Sequence, residues 1–503
     1  MRLRLAAFLL LVPALAGAQE LADYNRGLTA FNGGNYDVAV QHFYVLAERS
    51  SDADVKRKSQ YYLAQALAKK GFPAAASIYD AEIVKAGPEH PYYLEAVKAL
   101  AELQEQLKDP FLIPSMLDAR YQPSWKGLLP PPVVAKVSYL VATSKLRGDK
   151  LEEARELLQS VPAESAVYAK ARYLLGIVYS NPRFPEGPKT EEAVKAFQDV
   201  LAVKDARQID LEQTRQLALL GLGRVYYGAG EYAKARAAYE KVPRFSRYWD
   251  QALFENGFAR FRDEDYGGAL GSLQALHAPQ FEGAFQPESW VLKATVYHFS
   301  CLFNESKASL AEFERIYLPI SETLKPLVEA KPEDYSSYHA LVADPKSDKL
   351  PRPVLLWVRA NERVRGVFDL IARIDKEKAE LVAVDAWKGT LGAELASYLD
   401  QNRQTLVQTA GKLVKNRLTE AYQNIRKFSN DGDLIRLETT LAQKRLLDQS
   451  VDQRKMLADQ ALHRPGMPGE NWDYWQFQGE FWIDEIGYYQ YTLKKGCPLQ
   501  EKE

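Results

Sequence analysis

Chemistry requires titratable, nucleophilic or metal-binding side chains gathered in one place, and this chain offers three stretches where that is conceivable. Near its end, Asn471 to Cys497 reads NWDYWQFQGEFWIDEIGYYQYTLKKGC, setting Glu480, Asp484 and Glu485 among Trp475, Trp482 and several further rings. Rings beside carboxylates serve a sugar-hydrolysing site, a ligand platform or a structural clasp. Glu288 and Ser289 stand side by side, and His298 precedes Cys301 by one helical turn. A glycosidase needs two carboxyl groups facing each other across the scissile bond, about 5 to 9.5 Å apart, which adjacency in sequence does not supply. A structural zinc site takes about four ligands, and His298 with Cys301 makes two. The six histidines form no H-E-x-x-H, and the chain has no G-x-S-x-G. GLGRVYYGAG lacks both the G-x-G-x-x-G spacing and a following GK[ST]. These residues imply a protein that is not an enzyme, with no cofactor and no metal.

The elements around them repeat. In GLGRVYYGAGEYAKARAAYEKVP, Gly223 is followed by Gly230, Tyr232, Ala235 and Tyr239; the register reopens at Gly257 with Tyr266, Ala269 and Leu273. It also fits Gly27 with Gly34, Tyr36, Ala39 and Phe43, and weaker copies start at Ala64, Gly176 and Ala294, where Cys301 takes the place of the turn glycine. VSYLVATSKLRGDKLEEARELL fits as a degenerate unit. This pattern resembles the tetratricopeptide repeat, a pair of antiparallel helices. The resemblance implies an all-α, helical-hairpin solenoid in which small residues let two helices approach and aromatics fill the space between pairs. Periodicity agrees independently, because Ala218, Leu219, Leu222, Val225 and Tyr226 recur at helical spacing. One hairpin cannot bury its apolar face, so it must stack on the next and create an extended binding surface.

The repeats span residues 19–315. Prolines 319, 326, 332, 345, 351 and 353 then mark a connector over 316–353, since helix interiors tolerate proline poorly. Residues 354–464 contain no proline and predict long antiparallel helices, coiled-coil-like in pattern. Val364, Val367, Ile371, Ile374 and Leu381 make one stripe; Leu395, Leu399, Leu406, Leu413, Tyr422 and Ile425 make a second, which SNDGD at Ser429 to Asp433 is expected to interrupt with a turn. Residues 465–503 form the aromatic end, expected to fold back as a clasp because so many rings left in water are costly.

At the start, Arg2 and Arg4 precede the apolar run Leu5 to Leu15 and the small residues Ala16-Gly17-Ala18, the pattern of a cleavable signal peptide over residues 1–18. A periplasmic or secreted protein is expected, with no membrane span after cleavage. The formal net charge of -1 provides no footprint for nucleic acid. Export also allows the only two cysteines, Cys301 and Cys497, to pair, subject to a distance the sequence does not give.

Two further resemblances bear on function. Exported lytic transglycosylases pair a helical solenoid with wall cleavage, and Glu288-Ser289 is similar to their Glu-Ser motif, but no lysozyme-like domain follows. Gly479-Glu480-Phe481-Trp482, Asp484-Glu485-Ile486-Gly487 and Tyr488-Tyr489 resemble the ends of envelope tetratricopeptide proteins, including gliding-motility proteins of myxobacteria. The repeat register implies that Tyr173, Arg224, Tyr227 and Phe254 face the inner surface. Phe258, Phe261 and His298 join them, with Arg262 beside the strip. Tyr24, Phe31 and Tyr61 hold equivalent places in the early repeats. Stiff aromatics with arginine are common interface anchors. The reading is a non-enzymatic periplasmic scaffold or adaptor that binds an envelope protein or peptide, in motility or envelope assembly. Peptidoglycan or another glycan is the alternative ligand, and a wall-cleaving enzyme ranks behind both.

Overall fold

The structure, a computed structural model, describes residues 6–281, 283–448, 480–493 and 497, with side chains from residue 19 onward. The described residues are helical, with no strand among them. Helices adjacent in sequence pair as hairpins: α1 (Ala6–Asn32) with α2 (Tyr36–Arg49), and α3 (Ala53–Lys70) with α4 (Pro73–Ala86). After α5 (Tyr93–Leu107), α6 (Leu112–Arg120) and the short α7 (Trp125–Leu128), α8 (Pro131–Arg147) pairs with α9 (Leu151–Gln159). Next come α10 (Tyr168–Tyr179) and α11 (Thr190–Ala202), α12 (Leu211–Gly228) and α13 (Tyr232–Tyr239), then α14 (Trp249–Arg262) and α15 (Tyr266–Leu276). The last hairpin is α16 (Glu288–Phe299) with α17 (Phe303–Glu329), followed by α18 (Ser336–Ala343), α19 (Arg352–Ala360), α20 (Glu362–Val382) and α21 (Thr390–Asp448). This is the all-α, tetratricopeptide-like solenoid that the repeat register implies.

The repeat positions act as the pattern requires. A Cβ on Gly223 would fall 2.3 Å from the Tyr239 ring, on Gly176 2.6 Å from Phe197, and on Gly27 2.9 Å from Phe43. Glycine lets the ring of the second helix sit against the backbone of the first. Seven residues after the small position the chain reverses through left-handed backbone, at Gly34 (φ 75°), Gly71 (99°) and Gly230 (78°). In three diverged copies Asp149, Glu264 and Cys301 hold that conformation at φ 58–60°. Since a side chain there is disfavoured, the hairpin geometry rather than local preference sets their backbone.

The chain divides into two compact units. The first comprises residues 1–171, 334–339 and 362–411. Within it, the predicted stripe Val364, Val367, Ile371, Ile374 and Leu381 of α20 is buried, as are Leu395, Leu399 and Leu406 of α21. Helix α4 starts at Phe72-Pro73 without a side-chain cap of its own. Buried Glu377 of α20 supplies one, accepting from the Ala74 and Ala75 N–H groups at 2.8 and 2.7 Å. Trp387 is buried against Phe72, ring centroids 5.4 Å apart, and its indole N–H donates to the Asp37 carbonyl at 3.1 Å.

The second unit comprises residues 172–333, 340–361 and 412–503. Two sequence expectations fail here. Helix α17 runs through Pro319 and Pro326 to Glu329, so the stretch expected as connector from residue 316 begins inside a helix. Burial of Leu310, Phe313, Tyr317, Ile320 and Leu324 along one face outweighs the roughly 3 kcal/mol that an interior proline costs. Helix α21 also passes unbroken through SNDGD. Ile425, Phe428, Gly432, Thr439, Ala442 and Leu446 keep its buried stripe in register, and a Cβ on Gly432 would lie 3.2 Å from Leu310. That glycine is a packing residue.

The aromatic end forms a clasp on α15. The Tyr491 N–H donates to the Gly267 carbonyl at 3.1 Å. A Cβ on Gly271 would fall 1.7 Å from the Tyr489 carbonyl oxygen, and on Gly267 2.3 Å from that of Tyr491. Glycines at a four-residue interval thus bare the backbone of α15, and the tail main chain lies directly on it. Ile486 is fully buried beside Trp249 and Ala275, with Phe481 and Tyr489 packed around them. Cys497 is bonded to Cys301, Cα atoms 5.7 Å apart. The expectation that burial drives the fold-back holds for these residues, but Trp482 and Tyr488 stay 60 % and 70 % exposed. Trp472, Trp475 and Phe477, and the segment 465–479 generally, lie outside the described residues.

Candidate functional site

The inner-surface strip read from the repeats falls on consecutive first helices of the second unit. Helix α10 carries Tyr173, α12 carries Arg224 and Tyr227, α14 carries Phe254, Phe258, Phe261 and Arg262, and α16 carries His298. Arg224 is exposed and pairs with Glu255 of α14 through both carboxylate oxygens, the shortest contact being 2.7 Å. A fork-to-fork pair of this kind fixes a guanidinium in orientation while leaving one edge to solvent. Tyr173 lies close enough to act electrostatically on Arg224. Arg262 is also exposed; it donates to the Tyr232 hydroxyl at 2.9 Å and its guanidinium sits 5.4 Å over that ring. Tyr227 also packs against Tyr232, ring centroids 5.5 Å apart. Burial raises the Tyr227 phenol pKa, and the charge of Arg262 opposes that shift.

The eight residues do not form one uniform surface. On successive first helices, Arg224 and Arg262 are exposed and Tyr173 and Tyr227 half-buried. Phe254, Phe258 and Phe261 are half-buried against Leu270, Leu273, Leu292 and Val296, so they hold α14 to the following hairpin as well as bordering the strip. His298 is buried, and its Nδ1 is 3.0 Å from the Thr439 hydroxyl of α21. Burial pushes the His298 pKa down, as expected of an imidazole held away from water. Helix α21 therefore covers the strip at its last repeat, which the repeat register cannot reveal.

Sequence reasoning also missed Glu255, Tyr232 and Arg244. The first two orient the exposed arginines from positions outside the inner register. Arg244 binds the tail: its guanidinium donates to the carbonyls of Ile483, Asp484 and Ile486 at 2.8–3.1 Å and lies 4.5 Å over the Tyr488 ring.

The other chemical candidates have structural partners. Ser289, at the start of α16, is buried, donates to the Gln286 carbonyl at 2.6 Å and lies 2.9 Å from His277 Nε2. Cys301 is in the disulfide, so it does not join His298 as a metal ligand. Among the described residues no group of three or more His, Cys, Asp or Glu side chains is placed to hold a metal ion, and no helix is long and apolar enough to cross a membrane.

The tetratricopeptide repeat family model agrees with the geometry of one hairpin. No curated protein matches the chain. A solved tetratricopeptide repeat protein from Parabacteroides merdae is 13% identical, with 52% of this chain and 93% of that one covered and a TM-score of 0.31. The tetratricopeptide repeat family model matches residues 217–244, the hairpin of α12 and α13. The chain thus carries tetratricopeptide repeat sequence where Gly223 and Tyr239 interlock, a fold that typically serves as a scaffold for protein–protein interaction and not for catalysis.

Proposed function

We propose that this protein is a non-enzymatic adaptor that binds another protein of the bacterial envelope through the strip formed by Tyr173, Arg224, Tyr227 and Arg262. The observation that carries the reading is the pair of exposed arginines, each oriented by a neighbour, Glu255 or Tyr232, beside half-buried tyrosines. Pre-oriented arginine and tyrosine lose little freedom on binding, which is why they dominate interface energetics. The signal-like start supports a periplasmic location, and the aromatic end supports a role in a motility or envelope-assembly complex. The glycan alternative is supported by exposed Trp482 in the tail.

The test compares wild type with an Arg224→Gln, Arg262→Gln double variant in capture from envelope extract, alongside cosedimentation with purified peptidoglycan. The expected result is a protein captured by wild type and lost from the variant, with the melting midpoint unchanged. Peptidoglycan cosedimentation without protein capture, reduced by Trp482→Ala, would replace the adaptor reading with glycan binding.

A further inference from the structure

The exposed side chains of the tail turn have a neighbour of the same kind. Trp482, Ile483 and Tyr488 are 60, 62 and 70 % exposed, and Phe245, in the loop between α13 and α14, is 54 % exposed. Arg244 ties the two segments together: it donates to the Ile483, Asp484 and Ile486 carbonyls, and its guanidinium lies 5.2 Å over the Phe245 ring and 4.5 Å over that of Tyr488. Phe245 has left-handed backbone, φ 58°, a conformation disfavoured for an aromatic residue. The loop thus holds a ring in water at a conformational cost, which points to a use for it. Four such side chains leave on the order of 500 Å² of mostly apolar surface in water, near the top of the range for the largest patch on a monomer. The turn beneath them is ready for burial. The Trp482 carbonyl accepts from the Glu485 and Ile486 N–H groups at 3.0 and 3.1 Å, and the Glu485 carbonyl accepts from Tyr488 at 2.8 Å. With Arg244 on the remaining three, each carbonyl from Trp482 to Ile486 has a partner and can leave water without loss.

We infer that this patch is the interface of a dimer, in which a second copy of the chain packs its own Phe245, Trp482, Ile483 and Tyr488 against these about a two-fold axis. Charge selects this occupant. The loop side of the patch is basic, with Lys241 and Arg247 exposed, and the tail side is acidic, with Asp484 and Glu485 exposed. The one acid of the loop, Glu240, is taken up by Arg260 at 2.8 Å. Lys241, Asp484 and Glu485 make no ion pair among the described residues, although their segments adjoin. A two-fold axis lays the acidic turn of each copy on the basic loop of the other, so that one surface complements itself. A standard interface buries about 800 Å² per partner, and the patch supplies more than half of that. A lipid surface fits less well, because Asp484 and Glu485 share the turn with Trp482 and Ile483 and would have to enter with them. Two copies joined here carry two arginine–tyrosine strips, and that consequence alone rests on the adaptor reading.

Sedimentation velocity of the full chain over about 1 to 100 µM should show a monomer–dimer equilibrium with its Kd in that range. Trp482→Ser with Ile483→Ser should weaken the dimer about tenfold or more, with circular dichroism unchanged because both side chains are exposed. Lys241→Glu alone, or Asp484→Lys with Glu485→Lys, should each weaken it about tenfold by setting like charges together. An equimolar mixture of those two proteins should recover dimers of wild-type strength, since every loop-to-turn contact between them joins opposite charges. The Arg224→Gln, Arg262→Gln double variant should dimerise as wild type does, which separates this interface from the adaptor strip. The inference is overturned if the chain is monomeric throughout, if the dimer is indifferent to Trp482→Ser with Ile483→Ser, or if the two charge variants stay apart on mixing. It is equally overturned if the strip variant loses the dimer, or if a monomeric chain floats with phosphatidylethanolamine–phosphatidylglycerol vesicles in a Trp482-dependent way.

Discussion

The two units fasten the C-terminal part of the chain to their repeat helices by different physical means. In the first, side chains do it: the Glu377 carboxylate reaches into the uncapped start of α4, and Trp387 seats against Phe72. In the second, the main chain does it, with Tyr489 and Tyr491 laid over Gly271 and Gly267 and the Cys301–Cys497 bond holding the end. The difference shows two ways in which a hairpin can accept a covering segment. It can leave helix N–H groups unsatisfied for a distant acceptor, or it can omit side chains so that another backbone comes close. The first arrangement buries a titratable group and depends on pH; the second is intolerant of any Cβ.

The largest effect should come from removing the covalent tie. Cys301→Ser with Cys497→Ser opens a link between residues 196 apart in sequence and should cost about 2 to 5 kcal/mol. Hydrogen exchange should rise along α15 and residues 486–491 while α4 keeps its protection; equal loss at α4 would break the distinction between the two fastenings. Next, Gly271→Leu should force the tail off α15 at a cost of about 1 to 3 kcal/mol or more, read as faster proteolysis after Phe481 or Tyr489. Glu377→Ala should cost about 1 to 3 kcal/mol by leaving two buried N–H groups unpaired, with faster exchange confined to the first turn of α4.

pH sharpens the contrast. Burial outweighs the two N–H bonds at Glu377 and raises its pKa to about 7, from an ordinary 4.5. Between those values the folded chain holds a proton that the unfolded chain releases, so the contribution of Glu377 to stability falls as pH rises from about 4.5 to about 7. In the second unit, Lys293 is buried, donates to Gln274 at 3.1 Å, and has its pKa pushed down to about 8 from 10.5. There the unfolded chain holds the extra proton, so its contribution grows as pH rises from about 8 to about 10.5. Melting curves across pH should flatten in the lower window for Glu377→Gln and in the upper window for Lys293→Met. The smallest effect on stability belongs to Arg262→Gln, within about 0.5 kcal/mol because the side chain is exposed.

The hairpins were legible in the sequence because their signals are local. A small residue on the first helix, a ring or leucine on the second and a left-handed turn seven residues after the small one are short-range requirements, and they place Gly223, Gly230 and Tyr239 without knowledge of the rest. The same register located Arg224, Tyr227 and Arg262 on neighbouring first helices. It could not show that α21 covers His298, or that Phe258 braces the next hairpin, because both depend on partners outside the repeat. Gly432 reads as a turn and Pro319 as a breaker on propensity alone; burial against distant helices decides otherwise. Glu377 looks like any surface glutamate until α4, three hundred residues earlier, presents two N–H groups to it. Local sequence thus determined which helices form and how each pair closes. Only the tertiary structure decided what covers them, since that energy comes from contacts whose partners are far apart along the chain.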